Sequence, residues 1–229
     1  YQGKALALFA RNYFKAGTAV LLQNITSDYS MGQAQTFQRE FTAMGGRILG
    51  TLNYKSDCKD FKEALSQVKG LDPDVLFVPG HAESGFVVKQ AQTLGLRAKL
   101  LGGDGWPYRE FYANGGQDLR EGYYAAHWNK AVDTPKSQEF VAKYKKVYDV
   151  TDFAAISYDA AMVLFDAIRR ARDTSPQAIR DALAETRDFE GATGRITFDA
   201  TGDPVDKPVI IMKIANGRPT MLMTMTPGN

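Results

Sequence analysis

The sequence is poor in the residues that build metal and disulfide centres. Its 229 residues include one cysteine, Cys58, and two histidines, His81 and His127. A single thiol cannot form an internal disulfide, and the lack of a second thiol nearby argues against structural zinc or an iron–sulfur cluster. His81 has no partner histidine close in sequence. We therefore predict no metal site.

Charge of one sign and long apolar runs are also scarce. Lysine and arginine total 28 against 26 acidic residues, so the formal net charge is +2, and no run of like charges stands out. This balance argues against nucleic acid as a partner. The apolar stretches are far shorter than the roughly 20 residues that a helix needs to cross a bilayer. No membrane span is predicted.

Sequence signatures of enzymes are missing as well. The chain has no GxGxxG, no P-loop, no GxSxG and no HExxH motif. The segment 198–203, FDATGD, lacks the twelve-residue spacing of a calcium loop and is interpreted as a turn between strands. We predict that the chain is not an enzyme and has no catalytic residues or cofactor. One alternative remains, a small α/β enzyme in which Asp104 and His81 act as acid and base.

What the sequence does contain is a repeated switch between helical and strand periodicity over residues 2–103, which is typical of stacked βα units. The strands are apolar enough on both faces to lie in a parallel sheet that helices cover. The predicted fold class is α/β with a doubly wound parallel sheet. Helices are predicted at 2–14, 32–44, 59–68 and 83–94, and strands at 18–23, 47–54, 74–79 and 99–103.

The second half of the chain has a different pattern. A strand at 121–128 is followed by three successive helices over 137–186, and the chain supplies no obvious sheet for them to cover. The middle helix carries Ala161, Leu164, Phe165 and Ile168 at a spacing that predicts one buried face.

Strands follow over 194–224, with Asn216–Gly217 as a hairpin turn. The predicted domains are 1–124, 125–190 and 191–229.

Three loops after predicted strands carry unusual polar residues, namely 24–32, 79–84 and 102–106. Loops and helix N-termini converge beyond the carboxyl ends of parallel strands. Tyr29 and His81 are therefore expected to face one cleft together with Asp104, although the three are far apart in sequence.

Asp104 lies among glycines in GGDGW, residues 102–106. Those glycines permit tight turns and leave room for a ligand, so the carboxylate could pair with a bound ammonium group. The alternative is a loop aspartate that caps a helix starting near Pro107. Tyr29 either offers an aromatic ring and a hydroxyl group to a ligand or packs half-buried. His81 is expected to form a hydrogen bond or to pack. Trp106 is expected to pack in the core or at the rim.

The order and spacing of several segments resemble the periplasmic solute-binding proteins of branched-chain amino-acid ABC transporters, of the leucine/isoleucine/valine-binding type. The resemblance runs nearly end to end. It rests on QGKALA, SDYSMGQAQTFQREFTAMGG, PDVLFVPG, KQAQTLGL, LLGGDGW, EGYYAAHW, SYDA at 157–160, and FEGATGRITFDATGDP.

The resemblance implies the type I periplasmic binding protein fold, in which two α/β lobes close on an amino acid. It matches Asp104 to the acid that receives the ligand's α-ammonium group and Tyr29 to the tyrosine of a YxxG loop. His81 falls near a position that is often tyrosine, and Tyr158 in SYDA would face the cleft from the other lobe. These four residues and Trp106 form the predicted ligand-binding set.

Family members begin with a further stretch that forms most of the first lobe. The resemblance therefore implies one complete lobe plus remnants of the other, with impaired binding by this chain. The helices at 137–186 would lack their sheet, so homo-oligomers or segment exchange through them are expected.

The implied partners are a small apolar or branched-chain amino acid and the membrane permease of an ABC transporter. The implied location is periplasmic, or extracytoplasmic with attachment to the membrane by a lipid anchor. The export signal would lie outside this chain. A ligand-sensing receptor ectodomain is the alternative function.

Overall fold

The computed structural model describes residues 1–228, which form two units. The first unit comprises residues 1–126 and 211–227, and the second is built mainly from residues 127–210. Most of the terminal hairpin, which the sequence analysis assigned to a separate segment 191–229, thus belongs to the first unit.

The first unit is a run of alternating helices and strands around one sheet. Its elements are α1 Gln2–Asn12, β1 Thr18–Asn24, α2 Asp28–Ala43, β2 Arg47–Tyr54, α3 Lys62–Leu71, β3 Val75–Val78, α4 Ser84–Thr93, β4 Lys99–Gly102, α5 Arg109–Ala113, a 3₁₀ turn at Gly116–Asp118 and β5 Glu121–Ala126. The second unit contributes α6 Pro135–Tyr144, α7 Ala154–Arg170, α8 Pro176–Ala184, β6 Phe189–Gly191 and β7 Gly194–Ile196. The last strands are β8 Val209–Ala215 and β9 Arg218–Met225.

The seven-stranded sheet has the order β2-β1-β3-β4-β5-β8-β9, and the pairs from β2 to β5 are parallel. This confirms the predicted fold class. The strand order reverses between β1 and β3. Since βαβ crossovers are right-handed, the reversal places α2 on one face of the sheet and α3 and α4 on the other.

Apolar side chains on both faces of the central strands explain why helices cover this sheet. All four residues of β3 are buried. Phe77 of β3 stacks on Phe37 of α2 with ring centroids 4.5 Å apart, and Phe37 stacks in turn on Phe41. The burial of such rings stabilises this layer.

Helix α2 begins earlier than the sequence pattern predicts, at Asp28 instead of residue 32. Ser27 has extended backbone geometry and its side chain accepts a hydrogen bond from the Ser30 amide, which is N-cap geometry. Tyr29 therefore lies on the first helical turn and is held by it, whereas the sequence analysis placed it in a loop.

The second unit packs around Trp128, which is 1% exposed. Its indole Nε1 donates a hydrogen bond to Ser137 Oγ at 2.9 Å, and its ring meets Phe140 edge-on. Thr134 caps α6 and Ser175 caps α8, and each cap is followed by a proline at the first helical position.

The predicted buried face of α7 is wrong. Leu164, Phe165 and Ile168 are 39%, 59% and 40% exposed, and Ala161 is exposed too. The side chains that α7 buries are mostly small: Ala154, Ala155, Asp159, Val163 and Ala167. The strands β6 and β7 of this unit have three residues each and form a two-stranded sheet, too small to cover the large apolar face as well.

Asp159 fastens α7 to the turn between β6 and β7. It is 2% exposed, and its carboxylate accepts hydrogen bonds from the amides of Ala192 and Thr193, both at 2.7 Å, and from Thr193 Oγ1 at 2.6 Å. A side chain on Gly191 would overlap this carboxylate. Lys207 Nζ donates to the Thr193 carbonyl at 3.0 Å and completes the cluster.

Replacing Asp159 by alanine leaves three buried donors without acceptors. We expect Asp159→Ala to lower the free energy of unfolding by about 3 kcal/mol, measured by urea denaturation followed by circular dichroism. Asp149→Ala, at an exposed position, is the matched control and should change stability little. Equal stability of the two variants would contradict the role given to Asp159.

Candidate functional site

Two loops and the first turn of α2 meet at the carboxyl edge of the sheet, on both sides of the point where the strand order reverses. Tyr29 follows β1, His81 follows β3, and Asp104 follows β4. Crevices at such a reversal are where open α/β sheets bind ligands. The structure thus brings together the three residues that the sequence analysis expected in one cleft.

A hydrogen bond joins the first turn of α2 to the Asp104 loop. Tyr29 OH donates to Asp104 Oδ1 at 2.7 Å and accepts from the Gly105 amide at 3.3 Å. Burial, and then the negative charge of Asp104, raise the pKa of the Tyr29 hydroxyl far above its ordinary value. The hydroxyl therefore stays protonated and acts as a donor to the carboxylate.

The alternative in which Asp104 caps a helix near Pro107 is wrong. Helix α5 begins at Arg109, its N-cap residue is Tyr108, and it has no side-chain cap. Asp104 is half-buried and points its Oδ1 atom at Tyr29 instead.

The glycines around Asp104 were expected to leave room for a ligand, but protein atoms occupy the space beside them instead. A Cβ atom on Gly102 would overlap the Trp106 ring, one on Gly103 would overlap Tyr29 OH, and one on Gly105 would overlap the Gly80 carbonyl. None of the three glycines has a positive φ. Close packing of the loop against the protein is therefore the reason for these glycines.

Aromatic rings line this side of the site. The centroids of Tyr29 and His81 are 4.6 Å apart with planes tilted by 49°, and His81 and Tyr108 are 6.3 Å apart. Tyr108 is 41% exposed and was missed by the sequence analysis. Its position just after Trp106, in the loop that carries Asp104, is the signal that could have identified it.

Trp106 lies in the core. It is completely buried, donates from Nε1 to the Val78 carbonyl at 3.1 Å and stacks on Phe111 at 4.9 Å. It packs under the Asp104 loop and presents no exposed surface to a ligand, which argues against the predicted ligand contact by Trp106.

Tyr158 belongs to the second unit, where it is 45% exposed and lies 5.0 Å from the Phe140 ring. It lines a cavity of about 580 Å³ in that unit together with Tyr144, Tyr148 and Met162. Its role as a ligand contact stays a prediction.

Residues 1–228 contain no group of three or more histidine, cysteine, aspartate or glutamate residues that could hold a metal ion. Among the helices of the same residues, none combines the length and apolar character needed to cross a membrane.

A family model described as periplasmic binding protein matches residues 2–219. A Leu/Ile/Val-binding protein homolog of Brucella abortus is 24% identical over 218 residues, which cover 94% of this chain and 58% of the relative. A leucine-, isoleucine-, valine-, threonine- and alanine-binding protein of Pseudomonas aeruginosa is 27% identical over 205 residues, 88% of this chain and 54% of the relative.

Two solved structures are similar over nearly the whole chain. A leucine-binding protein from Thermotoga maritima has a TM-score of 0.91 at 32% identity, and covers 99% of this chain with 65% of its own. A branched-chain amino-acid transporter substrate-binding protein from Streptococcus pneumoniae, in complex with isoleucine, has a TM-score of 0.85 at 30% identity and covers 99% with 64% of its own. The chain thus spans less than two thirds of the length of these relatives.

The raised pKa of Tyr29 predicts a pH effect on stability. An unfolded tyrosine ionises at about pH 10, whereas Tyr29 stays neutral in the folded chain. The contribution of neutral Tyr29 to the free energy of unfolding is complete below that pH. It is lost as the pH rises above it, because ionisation of the tyrosine then favours the unfolded state. Urea denaturation at about pH 8 and about pH 11 should show a smaller alkaline loss for Tyr29→Phe than for the wild type. Equal losses of unfolding free energy in the two proteins would contradict the neutral, buried state assigned to Tyr29.

Proposed function

The chain belongs to the periplasmic binding protein family and has its type I fold, and on this premise we propose that it is part of the substrate-binding component of an ABC transporter for a small apolar, branched-chain amino acid. The members of this family are solute-binding proteins and not enzymes. The observation that carries the proposal is the Asp104 carboxylate, hydrogen-bonded to Tyr29 where the strand order of the sheet reverses.

The chemistry of this site suits an α-amino acid. A carboxylate oxygen accepts more than one hydrogen bond, so Asp104 can keep the bond from Tyr29 and also receive an ammonium group. Partial burial strengthens that attraction, because water screens it less.

The rings of Tyr29, His81 and Tyr108 lie beside the carboxylate. They offer apolar surface to an aliphatic side chain while Asp104 holds the amine. The names of the relatives, which describe binding of leucine, isoleucine and valine, support this choice of ligand.

The proposed partner is the permease of the same transporter, and the proposed location is the periplasm or a lipid anchor outside the cytoplasm. Support comes from the family match and from the substrate-binding protein of S. pneumoniae, which is described as part of a branched-chain amino-acid transporter. Since the chain spans less than two thirds of the length of its relatives, we expect it to bind leucine more weakly than those longer relatives do.

The proposed function predicts that Asp104 carries ligand affinity. In the full-length gene product, Asp104→Asn removes the negative charge with little change of shape, and we expect about a hundredfold weaker leucine binding, the usual result of removing one partner from a buried charge pair. Isothermal titration calorimetry measures this loss. Asp57→Asn, at an exposed position, is the matched control, and a leucine affinity of Asp104→Asn equal to that of the control would exclude the proposed role.

The exposed apolar face of α7 underlies a separate proposal, that copies of this chain associate or exchange segments through helices 137–186. Leu164, Phe165 and Ile168 are the side chains concerned, and burying them against another copy removes apolar surface from water. We expect light scattering to show oligomers of the 229-residue chain and Phe165→Asp to shift them toward monomer. A wild-type chain that is entirely monomeric would refute association.

A further inference from the structure

A buried polar network lies beside the Tyr29–His81 pair, and Glu83 is its shared acceptor. Glu83 Oε1 accepts hydrogen bonds from Tyr54 OH at 3.0 Å and from Asn24 Nδ2 at 3.2 Å. Asn24 is the last residue of β1 and Tyr54 the last of β2, and they are 2% and 6% exposed. One carboxylate oxygen therefore joins the ends of two strands to the loop that follows a third.

Asn24 passes this connection on to the helical turn that carries Tyr29. Its side-chain Oδ1 accepts from Thr26 Oγ1 at 2.7 Å and from the Thr26 amide at 3.0 Å. The backbone amide of Asn24 donates to Ser30 Oγ at 2.9 Å. Ser30 is the direct neighbour of Tyr29 on the first turn of α2, so the position of Asn24 constrains the position of the Tyr29 ring.

The loop that carries His81 and Glu83 is also packed closely. Glu83 lies two residues after His81, at the N-cap position of α4. Gly80 packs so tightly that a Cβ atom there would overlap Tyr54 OH, and a Cβ atom on Gly105 would overlap the Gly80 carbonyl. The Glu83 loop is thus packed against the network on one side and against the loop of Asp104 on the other.

We propose that Glu83 is a positioning residue for the ligand site: by accepting hydrogen bonds from the ends of β1 and β2, it holds His81 against Tyr29 and so presets the Tyr29–Asp104 pair. This inference rests on the proposed function for its effect on affinity, but its structural part does not. Groups held in place before binding bind a ligand more tightly, because less ordering remains to be done.

The structural part is tested by NMR on the 229-residue chain with ¹³C-labelled tyrosine and histidine rings. The wild type should show nuclear Overhauser effects between the rings of Tyr29 and His81, whose centroids are 4.6 Å apart. Glu83→Ala should lose them. Glu83→Gln should keep them, because its amide oxygen accepts the same two hydrogen bonds.

The functional part is tested by calorimetry with leucine on the full-length gene product. We expect Glu83→Ala to weaken binding about tenfold, the effect of losing one to two hydrogen bonds, and Glu83→Gln to change it less than about threefold. Glu63→Ala on the exposed side of α3 is the matched control. If Glu83→Ala fails to fold by circular dichroism, Tyr54→Phe replaces it, since it removes one of the two donors and keeps the ring.

Ring contacts that persist in Glu83→Ala, or are lost equally in Glu83→Ala and Glu83→Gln, would overturn the inference. Lost ring contacts with unchanged leucine affinity would overturn it as well. If the wild-type protein binds no leucine, the proposed function fails, and the ring contacts alone then decide the role of Glu83.

Discussion

The hydrogen bond from Tyr29 to Asp104 joins residues that lie 75 positions apart in the sequence, and the parallel sheet makes that possible. Each βα unit returns the chain to the same edge, so the residues after β1, β3 and β4 become neighbours without any local sequence signal. The reversal of strand order between β1 and β3 opens the crevice between them. The site is thus a consequence of strand order first and of individual side chains second.

The sheet and its helices could be predicted from the sequence because their signals are local. Apolar runs marked the strands, and Asn216–Gly217, both with positive φ, formed the expected turn. The cap by Ser27 was missed, because a single side chain decides where α2 begins. The wrong face of α7 has another cause: periodicity shows that a helix has an apolar face, but whether Leu164 and Phe165 are buried depends on which partner elements are available.

The residues of the candidate site also differ in whether a local sequence signal identifies them. Asp104, Tyr29 and His81 were identified because strand ends indicate a shared edge. Glu83 was not, since a glutamate near the start of a helix is common on protein surfaces and only the three-dimensional structure shows two buried donors converging on it. Tyr108 was missed for a related reason, because its ring approaches His81 only after the loop has folded.

The contact between Gly105 and the Gly80 carbonyl limits how the proposed ligand site could change to accept a different ligand. Any larger residue at position 105 would push the loops of His81 and Asp104 apart, so mutations there would disturb the proposed amine-binding group and its neighbouring ring at once. A Cβ atom on Gly105 would also come within 3.1 Å of His81 Cδ2, whereas Tyr108 is not among its nearest neighbours and can change size separately. Selection for a new side-chain preference at the proposed ligand site would therefore act through Tyr108 and leave the glycines fixed.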